Sequence, residues 1–357
     1  MASDQKDFSG TMPVQDKHRF DEAALADYLA SQIDDFQTPL TVEQFKGGQS
    51  NPTYRLVTPN RHYVLRRKPP GDLLPSAHAV DREYRVITAL ADTDVPVARS
   101  YCLCEDTSVI GTAFYVMDCI DGRVMWDPTL PGHDPADRAS IFDAMNATIA
   151  ALHTVNVNAV GLSDYGKPGN YFERQIARWS KQYRASETET IAAMDQLIDW
   201  LPKNIPPGDE VAIVHGDYRL DNIMYHPGQP KILAVLDWEL STLGHPLADF
   251  AYHCMPWHIP HGVFRGLGGV ELADLGIPDE ASYVASYCQR TGRDPIDPSH
   301  WDFYIAYNMF RLAGILQGIM GRVKAGTASS KKAEAMGRGA RPLADPGWMQ
   351  VEKSTAR

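Results

Sequence analysis

The 357-residue sequence has little of what marks several large classes of protein. Its five cysteines, at positions 102, 104, 119, 254 and 288, are odd in number and never form a CxxC pair, so neither a disulfide framework nor a zinc knuckle is encoded. No run of about 18 apolar residues occurs, which argues against a membrane-spanning helix. The opening residues MASDQKDFSG lack the apolar core of a secretory signal. Basic side chains are the minority: 34 Lys and Arg against 45 Asp and Glu leave a net charge of −11, which disfavours nonspecific binding to nucleic acid or anionic membranes. These absences predict a cytoplasmic protein with reduced thiols, with no nucleic acid and no membrane as partner; they say nothing of oligomeric state.

What is present is an ordinary globular composition, 44% apolar and 22% charged, on a chain long enough for about two domains or lobes. Residues 1–18 are polar and read as a loose leader, after which Phe20, Ala24, Leu25, Tyr28, Leu29 and Ile33 recur at helical spacing from Asp21 onward. Alternation in Leu40 to Phe45, in Tyr54 to Val57 and in Tyr63 to Arg66 predicts three strands, and residues 77–91 return to a helical period. Apolar runs at 101–103 and 114–117 supply two more strands. Beyond Pro135 the pattern turns helical, over 136–154, 171–184, 188–201, 279–291 and 301–323, with short strands around 211–237; residues 324–340 read as a flexible connection into a final segment. The expected fold is α+β and bilobal: an antiparallel-sheet lobe over 1–118 and a larger, mainly helical lobe over 119–357.

The strongest local signal is His215-Gly216-Asp217-Tyr218-Arg219-Leu220-Asp221-Asn222, a polar loop between two apolar strands. A second apolar run, 232–236, delivers Asp237 at its end, and the turn His226-Pro227-Gly228 predicts a hairpin that brings Asn222 and Asp237 together. Transfer of a γ-phosphoryl group needs a carboxylate to orient and deprotonate the attacking hydroxyl, and hard oxygen ligands for magnesium on the phosphates. Asp217, five residues before Asn222, has the spacing of a catalytic base followed by an amide metal ligand, and Asp237 has that of the second metal ligand.

At these residues the sequence resembles the aminoglycoside phosphotransferase family, whose members share the protein-kinase fold and carry an HGDxxxxN loop followed by a motif of the LDWE type. Here the motifs are His215 to Asn222 and Leu236-Asp237-Trp238-Glu239, and the resemblance, closest to kinase-like domains attached to some acyl-CoA dehydrogenases, spans about residues 40–320. It implies ATP and Mg2+ as cofactors, Asp217 as catalytic base, Asn222 and Asp237 as metal ligands, His215 as a prop of the loop, and Asp249 as its anchor. The phosphate-covering turn is expected at Gly47 to Asn51, with Gly48, Ser50 and Asn51 nearest the nucleotide; it is neither GxGxxG nor GxxxxGK[ST]. The cation on the phosphates departs from the family's usual lysine: the third strand ends in Arg66-Arg67-Lys68, so Arg66 is expected there, with Lys68 as substitute if the register slips and Glu83 as partner. Met117 and Cys119 stand where the hinge reads the adenine edge.

For the acceptor, Arg219, Trp238, Glu239, Trp257 and Arg311 are the candidate contacts. An arginine two residues beyond the base repels polycations and favours a carboxylate, a phosphate or a CoA tail; the resemblance to kinase-like domains of the acyl-CoA dehydrogenase type, which act on hydroxyacyl substrates, implies a hydroxy acid or hydroxyacyl-CoA. An aminoglycoside or choline-type kinase is the alternative within the class, and a pseudokinase binding module the alternative outside it.

Overall fold

In the computed structural model the described residues are 10–46, 51–71, 78–327 and 333–356. The chain groups into two compact units: residues 1–126, 159–162 and 221–241 form the first, and 127–158, 163–220 and 242–357 the second.

The first unit is built on a fully antiparallel six-stranded sheet in the order β1-β2-β3-β4-β6-β5. The strands are β1 (Thr11–Met12), β2 (Thr41–Phe45), β3 (Thr53–Val57), β4 (His62–Arg67), β5 (Ser100–Cys104) and β6 (Phe114–Asp118). Helix α1 (Glu22–Gln32) begins at Asp21, whose carboxylate accepts from the Ala23 and Ala24 amides, and it buries Leu25 and Leu29 against Tyr54, Leu56, Tyr63 and Leu65. Residues 10–18 are not the loose leader their polarity predicts. Thr11 and Met12 pair with Phe45 and Gln44, and Asp16–His18 make a 3-10 turn tied down by hydrogen bonds from Tyr54 and Arg67 to the His18 carbonyl. The sheet edge supplies pairing that a hydropathy pattern cannot reveal.

Strand parity decides the fate of the three consecutive basic residues. On β4, Tyr63, Leu65 and Arg67 point to the α1 face, while Val64 and Arg66 point to the other. Arg67 is therefore 2% exposed, its guanidinium 5.0 Å from the Phe20 ring and 5.5 Å from the Tyr54 ring. On the opposite face lies α2 (Val80–Leu90), whose buried stripe is Val80, Glu83, Val86, Ile87 and Leu90. A glutamate on that stripe needs a partner, since buried carboxylates are tolerated only when paired. A further short helix, α3 (Thr107–Ile110), follows β5.

In sequence, β7 (Ala212–Val214) and β10 (Thr242–Gly244), which pair in the second unit, bracket the hairpin β8 (Ile223–Tyr225) and β9 (Ile232–Val235) of the first. Gly122 lets the chain run against this hairpin: a Cβ there would meet the Met224 side chain and the Tyr225 carbonyl at 2.6–2.7 Å, and Arg123 exchanges backbone hydrogen bonds with Tyr225.

The second unit is helical: α4 (Pro135–Thr154), α5 (Tyr171–Ser186), α6 (Ala192–Trp200), α7 (Pro246–Cys254), α8 (Leu272–Leu275), α9 (Glu280–Thr291), α10 (Pro298–Lys324), α11 (Ala333–Gly337) and α12 (Ala340–Thr355). Its centre is α10, which buries every residue from Trp301 to Phe310. The flexible connection expected over 324–340 is helical from Ala333 to Gly337, and the final segment is a 16-residue helix that buries Leu343, Ala344, Gly347 and Val351. Pro342 and Pro346 hid α12 from the sequence. The first lies in the opening turn, where no intrahelical amide bond is lost, and the second is carried inside a helix packed on α10. Among the described residues no helix is long and apolar enough to cross a membrane.

Candidate active site

In the first unit, the hairpin performs the juxtaposition its sequence promises. Ile223 pairs with Val235, and the Leu236 amide donates to the Asn222 carbonyl at 2.8 Å, so Asn222 lies beside the residue preceding Asp237. Asp237 itself takes the left-handed conformation, φ 64°, before the 3-10 turn Trp238–Leu240. That region is costly for a residue with a Cβ and is found where side-chain aim matters more than local comfort.

Arg66 is the hub of this half. Its Nε lies 3.0 Å from Glu83 Oε2, one terminal nitrogen lies 2.6 Å from Asp237 Oδ1, and the same nitrogen is 3.7 Å from Glu239 Oε2. The planar fork makes this possible, because it aims donors in several fixed directions from one side chain. Strand register places it: Arg66 stands opposite Thr53 on β3 and Tyr115 on β6. Glu83 is held from every side, accepting from Asn51 Nδ2 at 2.8 Å and from Tyr115 Oη at 3.2 Å, while His78 Nδ1 lies 3.0 Å from Asn51 Oδ1. Burial pushes the Glu83 carboxyl up to about 7; Arg66 opposes that rise, and Asp237 and Glu239 add to it. Sharing one guanidinium among three carboxylates leaves the effect of burial only partly offset. Lys68 turns elsewhere, 3.6 Å from Asp81, so the register does not slip.

Asn51, Arg66 and Glu83 thus converge, whereas Gly48 and Ser50 lie outside the described residues. Met117 stands on β6 opposite Val64, and Cys119 follows the strand half-buried. Trp238, expected to meet the acceptor, is 1% exposed with its indole N–H bound to the Val235 carbonyl at 2.9 Å; it anchors the turn and offers no surface. Glu239, expected on the acceptor side, belongs to the Arg66 cluster.

In the second unit, the loop after β7 is fixed by Asp249 of α7. One Asp249 oxygen accepts the His215 amide at 2.7 Å and the other the Gly216 amide at 2.8 Å; His153 Nε2 stands 3.2 Å away, with its Nδ1 2.7 Å from Tyr287 Oη. Burial raises the Asp249 carboxyl, but His153 and the backbone donors outweigh it and hold the group below the usual carboxylate range. Gly216 has φ 83°, a conformation that frees the next residue from the strand direction. His215 is fully buried, and its Nδ1 accepts the Asp217 amide at 3.2 Å.

Asp217 is therefore presented on a loop whose backbone is held at three consecutive amides. Its Oδ1 accepts the Tyr252 hydroxyl at 2.5 Å, and its Oδ2 lies 3.4 Å from Arg219 Nε. Burial, with Asp217 adjacent, pushes the Tyr252 phenol well above its ordinary range, so it stays a donor. Arg311, expected to touch the acceptor, donates to the Gly216 carbonyl at 2.9 Å and lies 5.3 Å from the Tyr252 ring, so it braces the loop from α10. Trp257 packs against Phe142 and Tyr283 and donates to the Pro278 carbonyl at 3.0 Å, a core contact. Sequence reasoning missed His153, for which a histidine at a helix end gives no signal.

The kinase-like architecture is one that phosphotransferases share. The family model described as "Phosphotransferase enzyme family" (APH) matches residues 41–302, and the chain belongs to that family. It is similar to mouse acyl-CoA dehydrogenase family member 10, 45% identical over 341 residues, which covers 95% of this chain and 32% of the relative. It is also similar to human acyl-CoA dehydrogenase family member 11, 41% identical over 359 residues, covering 99% of this chain and 45% of the relative. The chain thus spans less than half the length of these curated relatives. Among solved structures, a protein described as a putative aminoglycoside phosphotransferase from Ralstonia eutropha JMP134 superposes with a TM-score of 0.87 at 60% identity, covering 94% of this chain and 99% of that one. Aminoglycoside phosphotransferase APH(4)-Ia in ternary complex with ADP and hygromycin B shares the fold, with a TM-score of 0.59 at 13% identity over 92% of this chain and 98% of that one.

Proposed function

We propose that the protein transfers the γ-phosphoryl group of ATP to the hydroxyl of an anionic small molecule, a hydroxy acid or hydroxyacyl-CoA. Asp217 is the base: as the acceptor oxygen bonds to the γ-phosphorus and the bond to the bridging oxygen breaks, the hydroxyl proton passes to Asp217 and ADP leaves. Arg66, steadied by Glu83, is the phosphate-binding cation. The single observation that supports the reading is the β8–β9 hairpin, which sets Asn222, five residues after Asp217 in the chain, against Leu236, the residue before Asp237.

Magnesium fits the residues present. Among the described residues no group of three or more His, Cys, Asp or Glu forms a cage for a metal ion, and a Mg2+ held by one or two protein oxygens plus nucleotide phosphates needs none. Asn222 and Asp237 are hard oxygen donors, and Asp237 keeps 36% of its side chain exposed. Bound there, the ion would neutralise developing charge on the phosphates.

Support for the acceptor class comes from Arg219, 3.4 Å from the proposed base and 40% exposed in its side chain. The names of the acyl-CoA dehydrogenase relatives point the same way. The test is turnover of ATP with Mg2+ against hydroxy acids, hydroxyacyl-CoA thioesters, aminoglycosides and choline, reading the phosphorylated acceptor by mass. Phosphorylation of the anionic acceptors is expected. Preference for aminoglycosides or choline would overturn the substrate class, and nucleotide binding without turnover of any acceptor would favour a binding module.

A further inference from the structure

We infer that Tyr252 is a positioning residue for Asp217, fixing the orientation of its carboxylate. The inference rests on the reading of Asp217 as the base. Tyr252 belongs to α7, the helix that also supplies Asp249, so one rigid element holds the loop backbone through Asp249 and the Asp217 carboxylate through Tyr252. The Tyr252 ring is 9% exposed and lies 5.3 Å from the Arg311 guanidinium, which in turn holds the Gly216 carbonyl at 2.9 Å. The phenol therefore has little freedom to leave. Tyr252 holds Oδ1 and Arg219 lies beside Oδ2, so the carboxylate is oriented from both of its oxygens. Orientation of this kind is worth much in phosphoryl transfer, where positioning and electrostatics carry most of the catalysis.

The experiment compares wild type, Tyr252→Phe, Asp217→Asn and the double variant. The readout is phosphorylation of whichever panel acceptor the wild type uses, or slow ATP hydrolysis if it uses none. Tyr252→Phe keeps the ring and removes the phenolic oxygen. A fall in kcat of about tenfold to a hundredfold is expected, with the ATP dissociation constant unchanged and no further loss in the Asp217→Asn background. A merely structural role would move ATP binding and thermal midpoint along with kcat. Wild-type kcat in Tyr252→Phe, or full additivity with Asp217→Asn, would overturn the inference. Retention of wild-type turnover by Asp217→Asn would instead overturn the base assignment on which it rests.

Discussion

Asp249→Asn is the substitution that most directly perturbs the support of the loop that presents Asp217. The carboxylate makes two charge-assisted bonds to consecutive amides, 2.7 Å to His215 and 2.8 Å to Gly216, and the oxygen facing His215 also faces His153 at 3.2 Å. An asparagine of the same shape must place its NH2 against one of these donors. Facing it toward His215 opposes both that amide and His153, so the amide group will turn its NH2 toward Gly216. One charged bond is then lost, a buried donor meets a donor, and His153 loses its anion. Hydrogen bonds to charged groups contribute about 1.5–3 kcal/mol each, and leaving a buried donor unsatisfied costs about 1–3 kcal/mol. A local cost of about 3 kcal/mol, or about 100-fold in an equilibrium constant, is expected. Because the chain forms two units, a single global unfolding free energy is a poor readout. Amide hydrogen exchange is better: the Gly216 amide should exchange about 100-fold faster in Asp249→Asn, and the His215 amide should change less. Equal protection at Gly216 in variant and wild type would refute the role given to Asp249.

Two further perturbations test other parts of the account. Arg66→Lys replaces a fork with a point charge that satisfies Glu83 or Asp237 but not both, and should destabilise the first unit by about 1–3 kcal/mol; a higher melting transition for that unit would contradict the pairing. Burial depresses His253 from its ordinary 6.5 to about 4, with Nε2 2.7 Å from Tyr283 Oη. Its neutral form is favoured in the folded state, so its contribution to stability is complete above pH 6.5 and is lost as pH falls to about 4, a change of about 3 kcal/mol. Denaturation of the second unit followed from pH 7 to pH 4.5 should show a steeper loss in wild type than in His253→Gln, and identical slopes would exclude the assignment.

Much of this was legible because two periodicities carry most of the information. The helical period of Leu25 and Leu29, the alternation through Tyr54 and Leu56, and the polar island between two apolar strands at 215–222 each report a buried face directly. The Arg66–Glu83 pair was legible for the same reason, since an acid on the buried stripe of α2 has to meet a base. What escaped depends on contacts distant in sequence. Trp238 and Arg311 looked like acceptor contacts because large aromatic and basic residues near a catalytic loop fit either role; only their partners, the Val235 carbonyl for one and the Gly216 carbonyl for the other, decide it. The short edge strand Thr11–Met12 has no apolar alternation to betray it, and α12 carries two prolines that local propensity counts as breaks.

The central claim is that Asp217 accepts the proton of the attacking hydroxyl. It is tested most directly by single-turnover phosphoryl transfer in Asp217→Asn, with binding of a nonhydrolysable ATP analogue measured alongside. General-base catalysis contributes about 10²–10⁴-fold, so the rate should fall by about that factor while the analogue binds as tightly as to wild type. A transfer rate within tenfold of wild type, with analogue binding intact, would contradict the account.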